Sequence, residues 1–280
     1  MVHITLTHKL SIMRFIKISI LFGSLLIIAG ACETENLLDE NIKTEPIDSS
    51  SVAFVKFMQN FAGNTPQLPT APNATTGPQV FLYANGAKLT GTAVGFGGFF
   101  PTTAVYSTVP TGANINFHVV QARMNLAVVP NVPAPIAGDT LITFTQTLEA
   151  GKFYSFIMGD TVPTRKVTVV EDQLPTPAYQ KYKIRMANWL MNLGDTINVY
   201  SRREGREIIQ NISHKQISDW IELPLPVISD TIELRKKGTV AAYISIPTFA
   251  PAGMRMYTIL SRGKTALTGK TPAATIIINR

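Results

Sequence analysis

The sequence predicts an all-β protein built as a tandem of two related domains, and three observations carry that expectation. Thr, Val, Ile, Phe and Tyr are frequent, which favours pleated, half-buried surfaces over helix. Strict alternation in "NINFHVV" (114–120) and "TLITFTQ" (140–146) marks strands with one buried face. A chain of 280 residues also exceeds the usual size of one β-domain and suits two units, each with its own core.

The elements follow in chain order. From Met13, "MRFIKISILFGSLLIIAGAC" has a basic start (Arg14, Lys17), an apolar run from Ile18 to Ile28 and the small residues Ala29-Gly30-Ala31 before Cys32. This is the pattern of a secretory signal over residues 1–31, with Met13 as the expected initiator. The apolar run is shorter than the roughly 20 residues a spanning helix needs. Cleavage before Cys32 leaves the only thiol of the chain at the new terminus. The segment resembles a bacterial lipoprotein signal, which implies that Cys32 is lipidated and that the protein is held at the outer membrane, on its periplasmic face or at the cell surface. With that thiol used, the domains form no internal disulfide. Residues 32–50 are acidic and polar and read as a tether, similar to the acidic stretch behind the lipidated cysteine of exported Bacteroidetes lipoproteins.

The formal charge of +7 is unevenly spread. Residues 33–48 hold six acids against Lys43, whereas from Ser49 onward 21 basic residues face 12 acidic ones. A basic body follows an acidic leader. It carries no nucleic-acid reading motif, so no nucleic-acid partner is expected.

The first domain is expected over 51–176, with strands at "VAFVKFM", "QVFLYA", "NINFHVVQA", "TLITFTQT", "FYSFIM" and "KVTVVE". Asn85-Gly86 in "YANGAK" signals a hairpin, because both residues tolerate positive φ. Pro175 and Pro177 interrupt the pattern and mark a linker. The second domain, 177–280, continues with "YKIRMANW", "TINVYS", "REIIQNI", "DWIELP", "TIELR", "VAAYISI", "MRMYTIL" and "ATIIIN". The two series superpose: "KFMQNF" (56–61) on "IRMANW" (184–189), "VFLYANG" (80–86) on "INVYSRREG" (197–205), and "LEAGKFYSFIMGD" (148–160) on "FAPAGMRMYTILSRG" (249–263). On these residues both halves resemble the exported-domain family of unknown function numbered 4397 (DUF 4397). That resemblance implies two tandem immunoglobulin-like β-sandwiches and supplies no catalytic residue.

Catalytic patterns are incomplete. After the signal, only His118 and His214 remain, too few for a zinc cluster. "RGKT" (262–265) and "TGKT" (268–271) lack the upstream glycine of a phosphate loop, and "GFGGFF" (95–100) lacks the third glycine of a dinucleotide fingerprint. The expectation is a non-catalytic binding or structural module without metal or cofactor; the alternative is an accessory glycan-binding lipoprotein of a polysaccharide uptake system. Candidate partners beyond the membrane are a glycan or an envelope protein. Candidate ligand contacts are the glycine-flanked Phe96, Phe99 and Phe100. Candidate contacts to an anionic surface are Arg202, Arg203 and Arg206 in one turn and Arg235, Lys236 and Lys237 in another. Core filling is expected of Trp189 and Trp220.

Four of the eight Asp residues are followed by Thr and an aliphatic, placing Thr140, Thr161, Thr196 and Thr231 in one recurring triplet. One reading is turn-to-strand grammar, with Asp bonding a turn and β-branched Thr starting the strand. The triplet also resembles the O-glycosylation signal of exported Bacteroidetes proteins, which implies a glycan on one or more of these hydroxyls.

Overall fold

The structure, a computed structural model, describes residues 47–61, 79–123, 136–159, 165–191, 193–264 and 271–280. Cys32, Thr161 and the signal and tether up to residue 46 lie outside them. The described residues form seventeen strands and no helix.

The first nine strands are β1 (Val52–Gln59), β2 (Val80–Ala84), β3 (Ala87–Lys88), β4 (Phe99–Phe100), β5 (Ser107–Pro110), β6 (Gly112–Arg123), β7 (Ile136–Leu148), β8 (Phe153–Gly159) and β9 (Lys166–Glu171). The remaining eight are β10 (Lys181–Asn188), β11 (Ile197–Ser201), β12 (Arg206–Ile212), β13 (Ile221–Pro224), β14 (Asp230–Lys236), β15 (Ala242–Phe249), β16 (Met256–Arg262) and β17 (Ala273–Ile278).

They sort into four sheets. Sheet I runs β4-β1-β8-β9 with β5 also on β1, sheet II runs β3-β2-β6-β7, sheet III β13-β10-β16-β17 and sheet IV β12-β11-β14-β15. The two halves of the chain repeat one topology. In each, the opening strand pairs in parallel with a late strand, β1 with β8 and β10 with β16, and every other pairing is antiparallel. The Asn85-Gly86 turn joins β2 to β3 with φ of 46° and 82°. Each half also ties a tyrosine back onto the turn before its strand: the Tyr154 hydroxyl accepts the Glu149 N–H at 3.1 Å, and the Tyr257 hydroxyl accepts that of Ala252 at 2.8 Å.

Three apolar clusters stack these sheets into layers. Val55, Phe57 and Phe156 of sheet I meet Leu82 and Phe117 of sheet II. Ile184 and Ile259 of sheet III meet Val199 and Leu234 of sheet IV. A smaller cluster of Met58, Ile157, Ala187, Leu260, Ile277 and Trp189 lies between sheets I and III. The layer order is therefore II-I-III-IV, and sheets I and III are covered on both faces. That is why β1 and β10 are buried at nearly every position from Val55 and Ile184 onward, since a strand covered on both sides loses its alternation.

The register between the halves corrects the sequence superposition by one residue. Matching "KFMQNF" to "IRMANW" aligns Met58 with Met186, but Met58 faces sheet III while Met186 lies in the core between sheets III and IV. The true equivalents are Lys56 with Arg185 and Gln59 with Asn188; the last pair makes the same bond two residues on, to the Phe61 and Leu190 N–H groups. Side chains alternate with period two, so a one-residue slip exchanges the faces.

Candidate functional site

Three of the buried charged side chains, Lys56, Asp172 and Arg185, meet at the contact between sheets I and III. Lys56 sits mid-strand in β1, fully buried, and its ammonium donates to the Thr103 and Ile278 carbonyls at 2.8 Å each. Its Nζ lies 4.9 Å from the Tyr106 ring centre. Burial pulls the Lys56 pKa down to about 8, with the Asp172 charge opposing that shift. Arg185, the equivalent residue of β10, donates from Nη2 to Asp172 Oδ1 at 2.5 Å and from Nε to Thr258 Oγ1 at 2.9 Å, and its guanidinium lies 4.4 Å from the Trp220 ring centre. Asp172 Oδ2 accepts from Ser155 Oγ at 2.6 Å and from the Tyr106 hydroxyl at 2.8 Å. Asn279 donates to that same hydroxyl and accepts from Thr258. Burial is the largest cause that raises the Tyr106 pKa far above its ordinary value, with the Asp172 charge next.

These groups come in matched pairs, Lys56 with Arg185, Tyr106 with Trp220, Ser155 with Thr258 and Asp172 with Asn279. Each pair holds equivalent places in the two halves. Asn60 Nδ2, just past β1, donates to the carbonyl of Trp189, just past β10, at 3.4 Å. The contact thus has approximate two-fold symmetry, with β1 and β10 running side by side in one direction. Trp189 fills this contact rather than either sandwich core, lying against Gly159 so closely that a Cβ there would come within 2.7 Å of its ring.

A second arrangement of charge covers the outer face of sheet IV. Ile232 and Leu234 point into the core, so Glu233 and Arg235 point outward. Glu233 accepts from Arg202 Nε at 2.5 Å and from Arg235 Nε and Nη2 at 3.0 and 2.6 Å. Burial disfavours its charge, but the hydrogen bonds from Arg235 and Arg202 outweigh that and hold its carboxyl below the usual range. The Arg235 guanidinium lies 3.4 Å from the centre of the Tyr200 ring, and Lys236 Nζ lies 4.5 Å from that of Tyr243. Asn198 bridges Glu207 and the Asn211 N–H beside them. The outer face is thus a hydrogen-bonded polar array around Tyr200, while Tyr243 packs against the core between sheets III and IV.

The sequence-predicted basic residues divide accordingly. Arg202, Arg203 and Arg206 flank the β11–β12 turn, while Lys236 and Lys237 lie at the β14–β15 turn, at the opposite end of sheet IV. Arg202 and Arg235 meet through Glu233. Arg203 turns away and donates to the Pro224 carbonyl at 3.0 Å. The structure does not gather the three phenylalanines on one surface. Phe99 packs into the contact between sheets I and III, Phe100 packs against the core between sheets I and II, and Phe96 lies 5.4 Å under the Arg262 guanidinium.

The Asp-Thr triplets also differ. Asp230 is buried, accepting from Ser201 Oγ and the Arg203 N–H, and Thr231 Oγ1 donates to the Pro247 carbonyl at 3.0 Å. Asp195 accepts the Thr196 N–H at 2.7 Å, and the Thr196 hydroxyl is buried. Thr140 is exposed on β7. Among the described residues no group of three His, Cys, Asp or Glu side chains is placed to hold a metal ion, and no helix is long and apolar enough to cross a membrane.

Sequence reasoning missed the roles of Lys56, Asp172, Arg185 and Glu233. A signal existed for two of them, because "VAFVKFM" and "YKIRMANW" each place one cation inside an apolar strand, and such a residue needs a partner.

No protein-family model matches the chain, and no curated protein matches it. Among solved structures, the chain is similar to the Bacillus anthracis TIE protein at 11% identity with a TM-score of 0.22, covering 77% of this chain and 34% of that one. It therefore spans about a third of that protein's length. It is also similar to CBMbc, a family CBM26 module from Eubacterium rectale Amy13K solved with maltoheptaose, at 12% identity and TM-score 0.22, covering 81% of this chain and 95% of that one.

Proposed function

We propose that the chain is a non-catalytic, lipid-anchored module of the bacterial cell envelope that acts as a binding or structural element at the outer membrane. The observation that carries this reading is the use made of buried charge. Lys56, Asp172 and Arg185 are all committed to fastening sheet I to sheet III, and Glu233 to fixing two arginines on an outer face. Fully bonded polar networks of this kind make a body stiff. The apolar segment ending at Cys32 supports the anchor. Replacing Cys32 with Ser should release the protein from the membrane fraction or leave its signal uncleaved; unchanged lipid labelling of that variant would overturn the anchored reading.

The second reading, an accessory glycan-binding lipoprotein, is favoured by Tyr200 on the outer face of sheet IV beside Asn198, Glu207 and Arg235. Arg235 now covers the Tyr200 ring and is held there by Glu233, so a stacked sugar has to displace that guanidinium. Polysaccharide retention that falls on Tyr200→Ala supports this reading, and retention unchanged by that substitution removes it.

A further inference from the structure

Three of the most exposed large apolar side chains among the described residues lie at one end of the second half. Val227 and Ile228, in the loop between β13 and β14, are 97% and 85% exposed, and Tyr179 is 80% exposed. Backbone bonds hold the surroundings together: the Leu225 N–H donates to the Gln180 carbonyl and the Met254 N–H to the Lys181 carbonyl. On the other side, Arg203 donates to the Pro224 carbonyl and Asp230 accepts from the β11–β12 turn. Met254 is also exposed there.

A comparison with the first half shows how this connection differs. In the first half the path from β5 to β6 is strand except for Thr111, whereas in the second half the five residues Leu225 to Ser229 lie outside the strands, although the paths from Pro110 to Phe117 and from Pro224 to Ile232 differ by one residue. Val227 and Ile228 therefore stand where the first half continues as strand, and here they are exposed rather than paired. The surrounding charge is basic. At this end Lys181, Arg202 and Arg203 pair with Glu222, Glu233 and Glu204, while Arg206 at the start of β12 and Arg255 just before β16 have no carboxylate partner among the described residues. An aliphatic tip at the same end as two unpaired cations complements an anionic lipid surface, with apolar side chains entering the headgroup boundary and cations meeting phosphates.

Position agrees with this. Because β1 and β10 run in one direction across the sheet I–sheet III contact, β1 and β10 begin at the same end. Residues 48–51, the described residues on the Cys32 side of β1, therefore share an end with the Val227–Ile228 loop.

We infer that this end docks on an anionic phospholipid surface, with Val227 and Ile228 entering the bilayer boundary and Arg206 and Arg255 meeting the headgroups. The inference goes beyond the anchored-module reading and is tested independently of it, because insertion depth at this loop is read directly whether or not Cys32 carries lipid.

The test places an environment-sensitive fluorophore on the full chain through Ile228→Cys and, separately, through Val240→Cys. Val240 is equally exposed at the opposite end of sheet IV, and the parent protein treated alike supplies the background. On phosphatidylglycerol-containing vesicles the probe at 228 should shift to the blue and be quenched by nitroxide-bearing lipid, while the probe at 240 keeps its emission in water. Adding Arg206→Glu and Arg255→Glu to Ile228→Cys should weaken vesicle partitioning at least about tenfold, since each basic residue near such a surface adds roughly a fivefold preference. Three results would overturn the inference: emission at 228 unchanged on anionic vesicles, equal quenching at 228 and 240, or the full shift produced by dextran sulfate without lipid, which assigns the end to an anionic glycan.

Discussion

Lys56 makes the stability of this protein rise with pH where most proteins begin to lose it. Its ammonium is fully buried between sheets I and III, with Tyr106, Phe99 and Asp172 as its nearest aromatic and charged neighbours. Burial lowers its pKa from 10.5 to about 8. Between those two values the unfolded chain binds a proton that the folded protein has given up, so stability climbs as pH rises through that window. Below about pH 8 both states are charged and the folded protein bears the full cost of keeping the cation dry. Working the two pKa values through the linkage relation gives a gain of about 2.5 kcal/mol between pH 7 and pH 10. Tyr106 and Tyr182 act in the opposite sense at higher pH. Burial is the main cause raising both, so their unfolded forms ionise near pH 10 while the folded forms stay neutral. Stability is therefore expected to peak close to pH 10. Urea unfolding followed by tryptophan fluorescence, with Trp189 buried at the same contact, measures this directly. The Lys56→Met variant should lose the rise. A wild-type curve that is flat or falling from pH 8 to 10, or a rise that survives in Lys56→Met, would refute the argument.

Other perturbations test the same architecture. Arg185→Met leaves the Asp172 carboxylate buried with only hydroxyl donors, and removing one partner of a buried pair costs about 3–5 kcal/mol; adding Asp172→Asn should recover part of that loss in a double-mutant cycle. Gly159→Ala puts a methyl 2.7 Å from the Trp189 ring, and such overpacking should cost about 1–3 kcal/mol in thermal or urea unfolding; an unchanged midpoint would mean that Trp189 can move. If Thr140 carries a glycan in the native host, the intact mass exceeds that of the lipidated polypeptide and Asp139→Ala removes the excess, whereas a native mass without excess leaves the triplet as turn grammar.

The strands were readable because period-two alternation and turn residues are local signals. Asn85-Gly86 turned the chain where its tolerance of positive φ said it would. The contact between sheets I and III was not readable. Its strands are buried on both faces, so Phe57 and Met58 look alike in sequence although they serve different cores. The same loss of alternation let a Met-to-Met match hide the one-residue offset between β1 and β10. The phenylalanine group failed as a surface for a related reason: Phe99 and Phe100 are neighbours on one strand and must point to opposite faces. Arg202 and Arg235 come together only through Glu233, a partnership set by strand pairing that no spacing rule reveals.

The matched pairs at that contact also decide what each half of the chain would accept as a mate. Asp172 stands on one side, and its counterpart on the other is Asn279. Two copies of the later half, docked face to face through sheet III, would bury two Arg185 guanidiniums with no carboxylate between them. Two copies of the earlier half would set Asn60 against Asn60 and against Gly159, with no indole to occupy the space that Trp189 fills. Only the mixed pairing satisfies both charge and volume. Severed between β9 and β10, the two fragments would behave as an orthogonal heterodimer, recognising each other in a mixture and declining self-association.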